Sequence, residues 1–251
     1  MKTLGVWWMA LGGLWSIAVA APSPAPLADA IERKDFTLAR SIVSDTAVNA
    51  KQYDGMTALH WAVHHDDVAL TQLLLAAKAD ANAENRYGVR PLSMACENGN
   101  AAIVGALLAA GAEPNAPLRG GEVPLMTAAR SGNAAIVKAL LARGVDANAK
   151  LENGQTAMMW AAAEGHAAVV ETLIAAGADF RGKVNSGFTP LLFAVRGGYT
   201  EIVRLLLKAG VDVNEPAQPQ AIRAKFLRRG ATALTTAIEN GHFELAGLLV
   251  D

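Results

Sequence analysis

The residues that could do chemistry are concentrated in one short segment. His60 and His64 are four residues apart, so a helix would place both on one face, and His65 follows directly. Two histidines at this spacing can bind zinc, but the spacing fixes no acidic or cysteine ligand beside them. The sequence has neither a glycine-rich phosphate loop nor a strand-to-helix nucleophile elbow. We therefore predict no catalytic residue, no metal site and no cofactor. A metal protein or enzyme built around His60, His64 and Glu97 is the less favoured alternative.

The elements that must position these residues recur with a fixed period. Glycines mark the start of each unit every 33 residues, and the last interval is 43 residues. The markers are Gly55, Gly88, Gly121, Gly154, Gly187 and, after the longer interval, Gly230. Each unit contains two short apolar helical patterns, and neither helix could bury its apolar face alone. The period predicts a solenoid in which every repeat packs only against its neighbours.

The segments after these glycines resemble the T-P-L-H-x-A signature of the ankyrin repeat. Residues 57–62 read T-A-L-H-W-A and residues 189–194 read T-P-L-L-F-A. Residues 90–95 read R-P-L-S-M-A, and segments 123–128, 156–161 and 232–237 are more degenerate but stay in register. The resemblance implies an all-α ankyrin-repeat solenoid of paired antiparallel helices joined by β-hairpin-like turns. It also implies a structural hydrogen bond for His60 and packing between repeats for Trp61, Trp160 and Phe193.

Threonine and glycine are expected at opposite ends of the helix pairs. A threonine before proline or alanine suits the start of a first helix, because its hydroxyl can accept from an early free amide and proline is tolerated at the first position. We expect the second helices to end in glycines that adopt the left-handed conformation. These glycines are Gly111, Gly144, Gly177 and Gly210.

The first 20 residues read as a secretory signal peptide. Lys2 precedes an apolar run, and residues 18–20 supply the small side chains of a cleavage site. We expect cleavage after Ala20 and a proline-rich linker over 21–26, and thus a bacterial periplasmic protein, with full secretion as the alternative. Retention of the segment as a membrane anchor is a further alternative, although the apolar run is shorter than the about 20 residues of a comfortable span.

The ankyrin-repeat domain is predicted over residues 27–251. Residues 27–50 form an atypical N-terminal cap repeat, six further repeats follow, and an insertion occupies 215–229. Ile222 and Phe226 are four residues apart within the insertion, beside basic residues that include Arg228 and Arg229. The insertion is either a basic arm that grips an acidic partner or a loop that folds back on the last two repeats.

Charge and cysteine content argue against a nucleic-acid partner and exclude an intrachain disulfide. The formal net charge is −1, which does not favour a nucleic-acid partner. Cys96 is the single cysteine, so no intrachain disulfide can form. It stands where other repeats have alanine or valine, and we expect a buried core thiol. A redox sensor is the alternative, and it would require exposure and a lowered thiol pKa.

Function is expected to depend on residues that the scaffold does not dictate. In an ankyrin array these lie at the turn tips and on the exposed part of the concave helices, and tyrosine and arginine are enriched at binding hot spots. We select Phe188 because it lies at a turn rather than in a helix. The full set of predicted partner-binding residues is Tyr53, His64, His65, Arg86, Tyr87, Glu97, Arg119, Arg130, Glu152, Phe188, Arg196, Arg228 and Arg229.

These observations favour a non-enzymatic scaffold or adaptor that binds another protein through its concave groove and turn tips. We expect a monomer, with no nucleic-acid partner and with membrane contact only if the N-terminal segment is retained. The last unit is followed by no polar capping repeat, so the final face is expected to be exposed or used in an interaction.

Overall fold

A computed structural model describes residues 23–44, 47–217 and 230–250. Within these residues the chain forms seven pairs of short helices and no strand. The first helices of the pairs are α1 (Pro26–Glu32), α3 (Ala58–His64), α5 (Pro91–Asn98), α7 (Pro124–Ser131), α9 (Ala157–Glu164), α11 (Pro190–Gly197) and α13 (Ala233–Glu239). The second helices are α2 (Phe36–Ile42), α4 (Val68–Ala76), α6 (Ala101–Ala109), α8 (Ala134–Leu141), α10 (Ala167–Ala175), α12 (Thr200–Lys208) and α14 (Phe243–Leu248). The predicted helix-pair solenoid is confirmed.

Most first helices start at the predicted threonine or proline, and most second helices are followed by the predicted glycine. Four first helices are capped by a threonine whose hydroxyl accepts from a backbone N–H three residues later: Thr57, Thr156, Thr189 and Thr232. Helices α5, α7 and α11 begin with proline. The glycines expected after the second helices have positive φ, for example 88° at Gly111. Lys78 occupies the same position in the first full repeat with φ 67°, a conformation that a side chain disfavours.

One continuous apolar core runs through the array between the two layers of helices. Leu70, Leu74, Ile103, Leu107 and Ile136 are fully buried within it. The alanines of the first helices contribute little volume, so neighbouring first helices approach closely and contact one another more extensively than the second helices do. The array therefore curves toward the first helices, which line its concave side.

A repeated pair of hydrogen bonds closes the turn that precedes each first helix. In the first full repeat, the N–H of Gln52 donates to the carbonyl of Met56 at 2.9 Å, and the N–H of Gly55 donates back to Gln52 at 2.9 Å. The same pair recurs in the next four repeats, with only two residues at each tip. Backbone hydrogen bonds join adjacent turns at two places among the described residues, where the N–H of Arg86 donates to the carbonyl of Asp54 and the N–H of Asn185 to that of Asn153. The turns are thus hairpin-like in hydrogen bonding, without strands in the described residues.

The insertion lies at the tip of the last of these turns. The N–H of Ala217 donates to the carbonyl of Ala231 at 2.8 Å, and Gly230 donates to Ala217 at 3.1 Å, as in the shorter turns. Glu215 occupies a regular repeat position and pairs with Lys183 at 2.6 Å. The extra residues therefore belong to 218–229, a narrower segment than the predicted 215–229. Arg228 and Arg229 lie in this segment, outside the described residues.

None of the described helices is long and apolar enough to cross a membrane. The predicted signal peptide over 1–20 and the start of the linker lie outside the described residues.

Candidate partner-binding surface

One repeat position in the last turn of the first helices forms a row along the concave side. We call this set the concave row, and its members are His64, Glu97, Arg130, Ala163, Arg196 and Glu239. His64, Glu97, Arg196 and Glu239 are exposed, and Arg130 and Ala163 are half-buried. The scaffold thus presents charged or ionisable side chains at most repeats and a single methyl group at the fourth full repeat.

Arg130 is held against an aromatic ring of the next repeat. Its guanidinium carbon lies 5.8 Å from the ring centroid of Trp160. On the other side, Arg130 Nη2 lies 3.4 Å from Glu122 Oε1, and the Thr127 hydroxyl donates to the same oxygen at 2.8 Å. Glu122 stands where the other full repeats have Met56, Val89, Gln155, Phe188 and Ala231, so a carboxylate replaces an apolar or neutral side chain here. This substitution was the available sequence signal for a cluster that the selection of site residues missed.

Arg196 rests on two phenylalanines of its own repeat. Its guanidinium carbon lies 5.2 Å from the ring centroid of Phe188 and 5.7 Å from that of Phe193. The two rings contact each other, with centroids 5.0 Å apart. Within the described part of the chain, Arg196 has no carboxylate at salt-bridge distance. Among the described residues, its exposed guanidinium is thus held by the two ring faces.

Among the predicted contact residues that the structure describes, Phe188 is the one that is buried. Only 4% of its surface is exposed, and it packs with Met159, Val184 and Leu192 in a second apolar cluster beneath the turns. The expectation of an exposed ring failed because this turn position faces inward, as Met56 does in the first full repeat. Phe188 therefore supports Arg196 from below and does not itself form the surface.

The turn tips carry the other predicted residues. Tyr53 and Tyr87 are 93% and 55% exposed, large values for aromatic side chains. The guanidinium of Arg86 lies 4.8 Å from the ring centroid of Tyr87 and hydrogen-bonds to its hydroxyl. Arg119 and Glu152 are exposed at the next two tips. The structure brings these residues into one ridge beside the concave row.

Comparison with known proteins agrees with this geometry. A family model described as ankyrin repeats in three copies matches residues 27–117 and 125–217, well over half of the chain. The chain belongs to the ankyrin-repeat family. Among solved structures, the ankyrin-repeat domain of human ASB11 is 24% identical, with a TM-score of 0.75 over 90% of this chain and 97% of that one. At this identity the likeness shows the fold alone. A search of curated proteins found no match.

The ankyrin histidine, His60, has the structural role that the resemblance implied. It is fully buried, and its Nε2 lies 3.1 Å from the carbonyl of Val89 in the next repeat. Donation from Nε2 leaves Nδ1 to accept from the N–H and hydroxyl of Thr57, at 3.2 and 2.8 Å. Burial lowers the pKa of His60 and favours the neutral ring. Zinc binding at His60 would have to break these bonds.

His64 and His65 belong to an aromatic cluster around Trp61. The His65 ring stacks on Trp61 with centroids 6.0 Å apart and meets the edge of Phe36 from the N-terminal cap. His64 contacts the Trp61 ring edge-on at 5.4 Å and stays exposed. His65 is half-buried between Phe36 and Trp61, and it therefore joins the cap to the first full repeat. His64 instead forms part of the concave row.

Cys96 is a core thiol, as predicted. Its side chain is fully buried in the ankyrin core, and this burial raises its pKa to about 12. The reactive thiolate is therefore scarce at neutral pH, and the features that a redox sensor requires are missing at this residue.

Proposed function

We propose that this ankyrin-repeat protein is a non-enzymatic scaffold that binds another protein through its concave row and turn-tip ridge. The observation that carries the proposal is the group of exposed arginines and tyrosines held in place by neighbouring side chains. Arg196 on two phenylalanines and Arg86 on Tyr87 are the clearest cases. Side chains that are already ordered lose less entropy on association, so contacts from several repeats can add up to useful affinity.

A crosslinking pull-down with three matched variants tests this proposal. One variant changes the turn tips to alanine at Tyr53, Tyr87 and Arg119, one is R130Q/R196Q, and one is the control R204Q on the outward-facing α12. We expect a partner that is captured by the wild type and R204Q and is lost or reduced with the other two. The partner, once identified by mass spectrometry, is purified and titrated against each folded variant. Equal affinity for all four proteins would place binding outside the concave and turn-tip surfaces.

We further propose that the protein works as a monomer in the bacterial periplasm after cleavage behind Ala20. The support is the arrangement of residues 1–20, with a basic start, an apolar run and small residues before the cut. Intact mass of the protein from a periplasmic fraction is expected to correspond to a chain starting at Ala21, and light scattering to the mass of one chain. A retained Met1 in the membrane fraction would instead indicate a tethered scaffold.

A further inference from the structure

The centre of the concave row differs from both of its ends. Ala163 provides only a methyl group at a position where other repeats have longer polar side chains. Arg130 precedes it by one repeat and Arg196 follows it by one repeat, on helices that both contact α9. Trp160 lies one turn before Ala163 on the same helix. We call these residues the central slot, in which a small side chain and an aromatic ring are flanked by an arginine one repeat away on each side.

The two arginines of the slot have guanidinium groups that are oriented by aromatic rings and can bind a planar anion. A guanidinium that rests on an aromatic ring is oriented by the ring face, while its N–H edge stays available for hydrogen bonds. Arg196 has no carboxylate partner in the described residues, and Arg130 has one at 3.4 Å, longer than a strong charged hydrogen bond. The fork of N–H groups matches the two oxygens of a carboxylate.

From this geometry we propose that the central slot binds an acidic side chain of the partner protein, above Ala163 and between Arg130 and Arg196. The inference rests on the proposed scaffold function and adds the chemistry of the partner. Glu97 occupies the row beyond Arg130, so a long acidic tract or an anionic membrane would meet repulsion there. The expected partner segment presents one carboxylate, or two adjacent ones, and neutral or basic residues on either side.

Selection from a random library of 12-residue peptides displayed on phage tests the chemistry without knowledge of the partner. The immobilised target is the full protein as purified from the expressing cells. We expect aspartate or glutamate to be enriched at one aligned position of the selected peptides. The best peptide, made synthetically, should bind R130Q/R196Q at least about tenfold more weakly, because a paired charge is lost at each end. Its affinity for R204Q should equal that for the wild type.

Two substitutions of Ala163 separate the effect of a negative charge in the slot on peptide binding from the effect of a larger side chain. A163E places a carboxylate of the protein itself in the slot, and A163Q adds a neutral side chain of nearly the same size. Both are expected to fold, since Glu97 and Arg196 are accommodated at the same repeat position, and circular dichroism checks this. We expect A163E to weaken peptide binding by about tenfold or more and A163Q by clearly less, because only the carboxylate competes for the arginines.

Three results would overturn the inference. They are a selection without acidic enrichment, equal binding of the peptide by wild type and R130Q/R196Q, and equal losses for A163E and A163Q. The scaffold function can survive each of them. A partner that is lost by the turn-tip variant but retained by R130Q/R196Q would support the scaffold and exclude the slot as its acidic site.

Discussion

Trp61 and Trp160 occupy the same repeat position, three repeats apart, and both are half-buried against the core. The Trp61 indole N–H donates to Gln52 Oε1 at 2.7 Å, and the Gln52 amide donates onward to Asp29 and Glu32 of the cap helix α1. At the fourth full repeat, Leu151 stands in place of Gln52, and the buried indole N–H of Trp160 has no hydrogen-bond partner among the described residues.

The difference shows how one scaffold position can serve two purposes. Around Trp61, the polar groups are used within the protein to attach the N-terminal cap to the array. Around Trp160, the ring instead orients Arg130 toward the concave surface, and a buried donor is left unpaired. An unpaired buried donor costs stability, so we expect the Trp160 indole to contribute less to stability than the Trp61 indole does.

The largest expected effect is on stability when each tryptophan is removed. W61A should lower the free energy of unfolding by about 3 kcal/mol, since it removes buried ring area and breaks the link to the cap. W160A should cost about 1 kcal/mol less, because no hydrogen bond of its indole is lost. Urea denaturation of both variants measures the difference. Equal losses would contradict the contrast between the two environments.

Leaving the Trp61 donor unpaired should have the next largest effect. Q52L copies the leucine of the fourth repeat, and we expect it to destabilise the protein by about 1–3 kcal/mol, the cost of an unsatisfied buried donor. The same substitution at the exposed Gln72 of α4, Q72L, is the control and should change stability by less than about 0.5 kcal/mol. If Q52L is as stable as Q72L, the Gln52 link contributes nothing measurable.

The first full repeat should also be the more sensitive of the two to pH. Its His60 corresponds to Met159 in the fourth, and burial lowers the pKa of His60 in the folded protein. The unfolded chain then binds a proton more readily, so stability is complete above about pH 6.5 and falls as the pH drops below it.

Replacement of His60 by methionine isolates this contribution. The unfolding free energies of wild type and H60M, measured from pH 8 to pH 5, should differ in slope below about pH 6.5, by at most about 1.4 kcal/mol per pH unit. The variant is expected to be less stable at pH 8, where the bonds to Val89 and Thr57 are lost. Parallel curves would show that His60 does not resist protonation in the folded state.

The smallest expected effect is a gain. L151Q supplies the fourth repeat with the residue that pairs with Trp61 in the first, and a new hydrogen bond to the Trp160 indole should stabilise the protein by at most about 1 kcal/mol. Thermal unfolding of L151Q is compared with that of L151N, whose shorter amide should not reach the indole. A lower melting temperature for L151Q than for L151N would contradict the analogy between the two repeats.

The fold was predictable because the same local signals recur in every unit. Thr57 and Thr189 cap the start of a first helix, and glycines such as Gly111 follow the end of a second helix. The period then requires the helix pairs to stack. Six repeated copies make these weak local preferences into a strong pattern, which is why the helix pairs and the core thiol of Cys96 were predicted correctly.

The surface was less predictable because it depends on how individual side chains pack. A turn position suggested exposure for Phe188, and the preceding repeats have Met56, Val89, Glu122 and Gln155 there, a mixed column that does not indicate burial. The stacking of Arg196 on Phe188 and Phe193 depends on side-chain rotamers, and no periodicity encodes it. Glu122 was not selected because this column already varies between apolar side chains and the polar Gln155, so a carboxylate there does not alter the repeat.

The hydrogen bonds that join Ala217 to Ala231 and Gly230 in the last turn have a consequence for the evolution of this protein. Because Ala217 and Ala231 are joined as in a two-residue turn, a tip of twelve residues is accommodated with the same turn hydrogen bonds and an unchanged helix stack. The tip is a site where new sequence can be acquired and tested by selection without loss of the fold. The same property makes it a natural position for grafting an epitope or a fluorescent label.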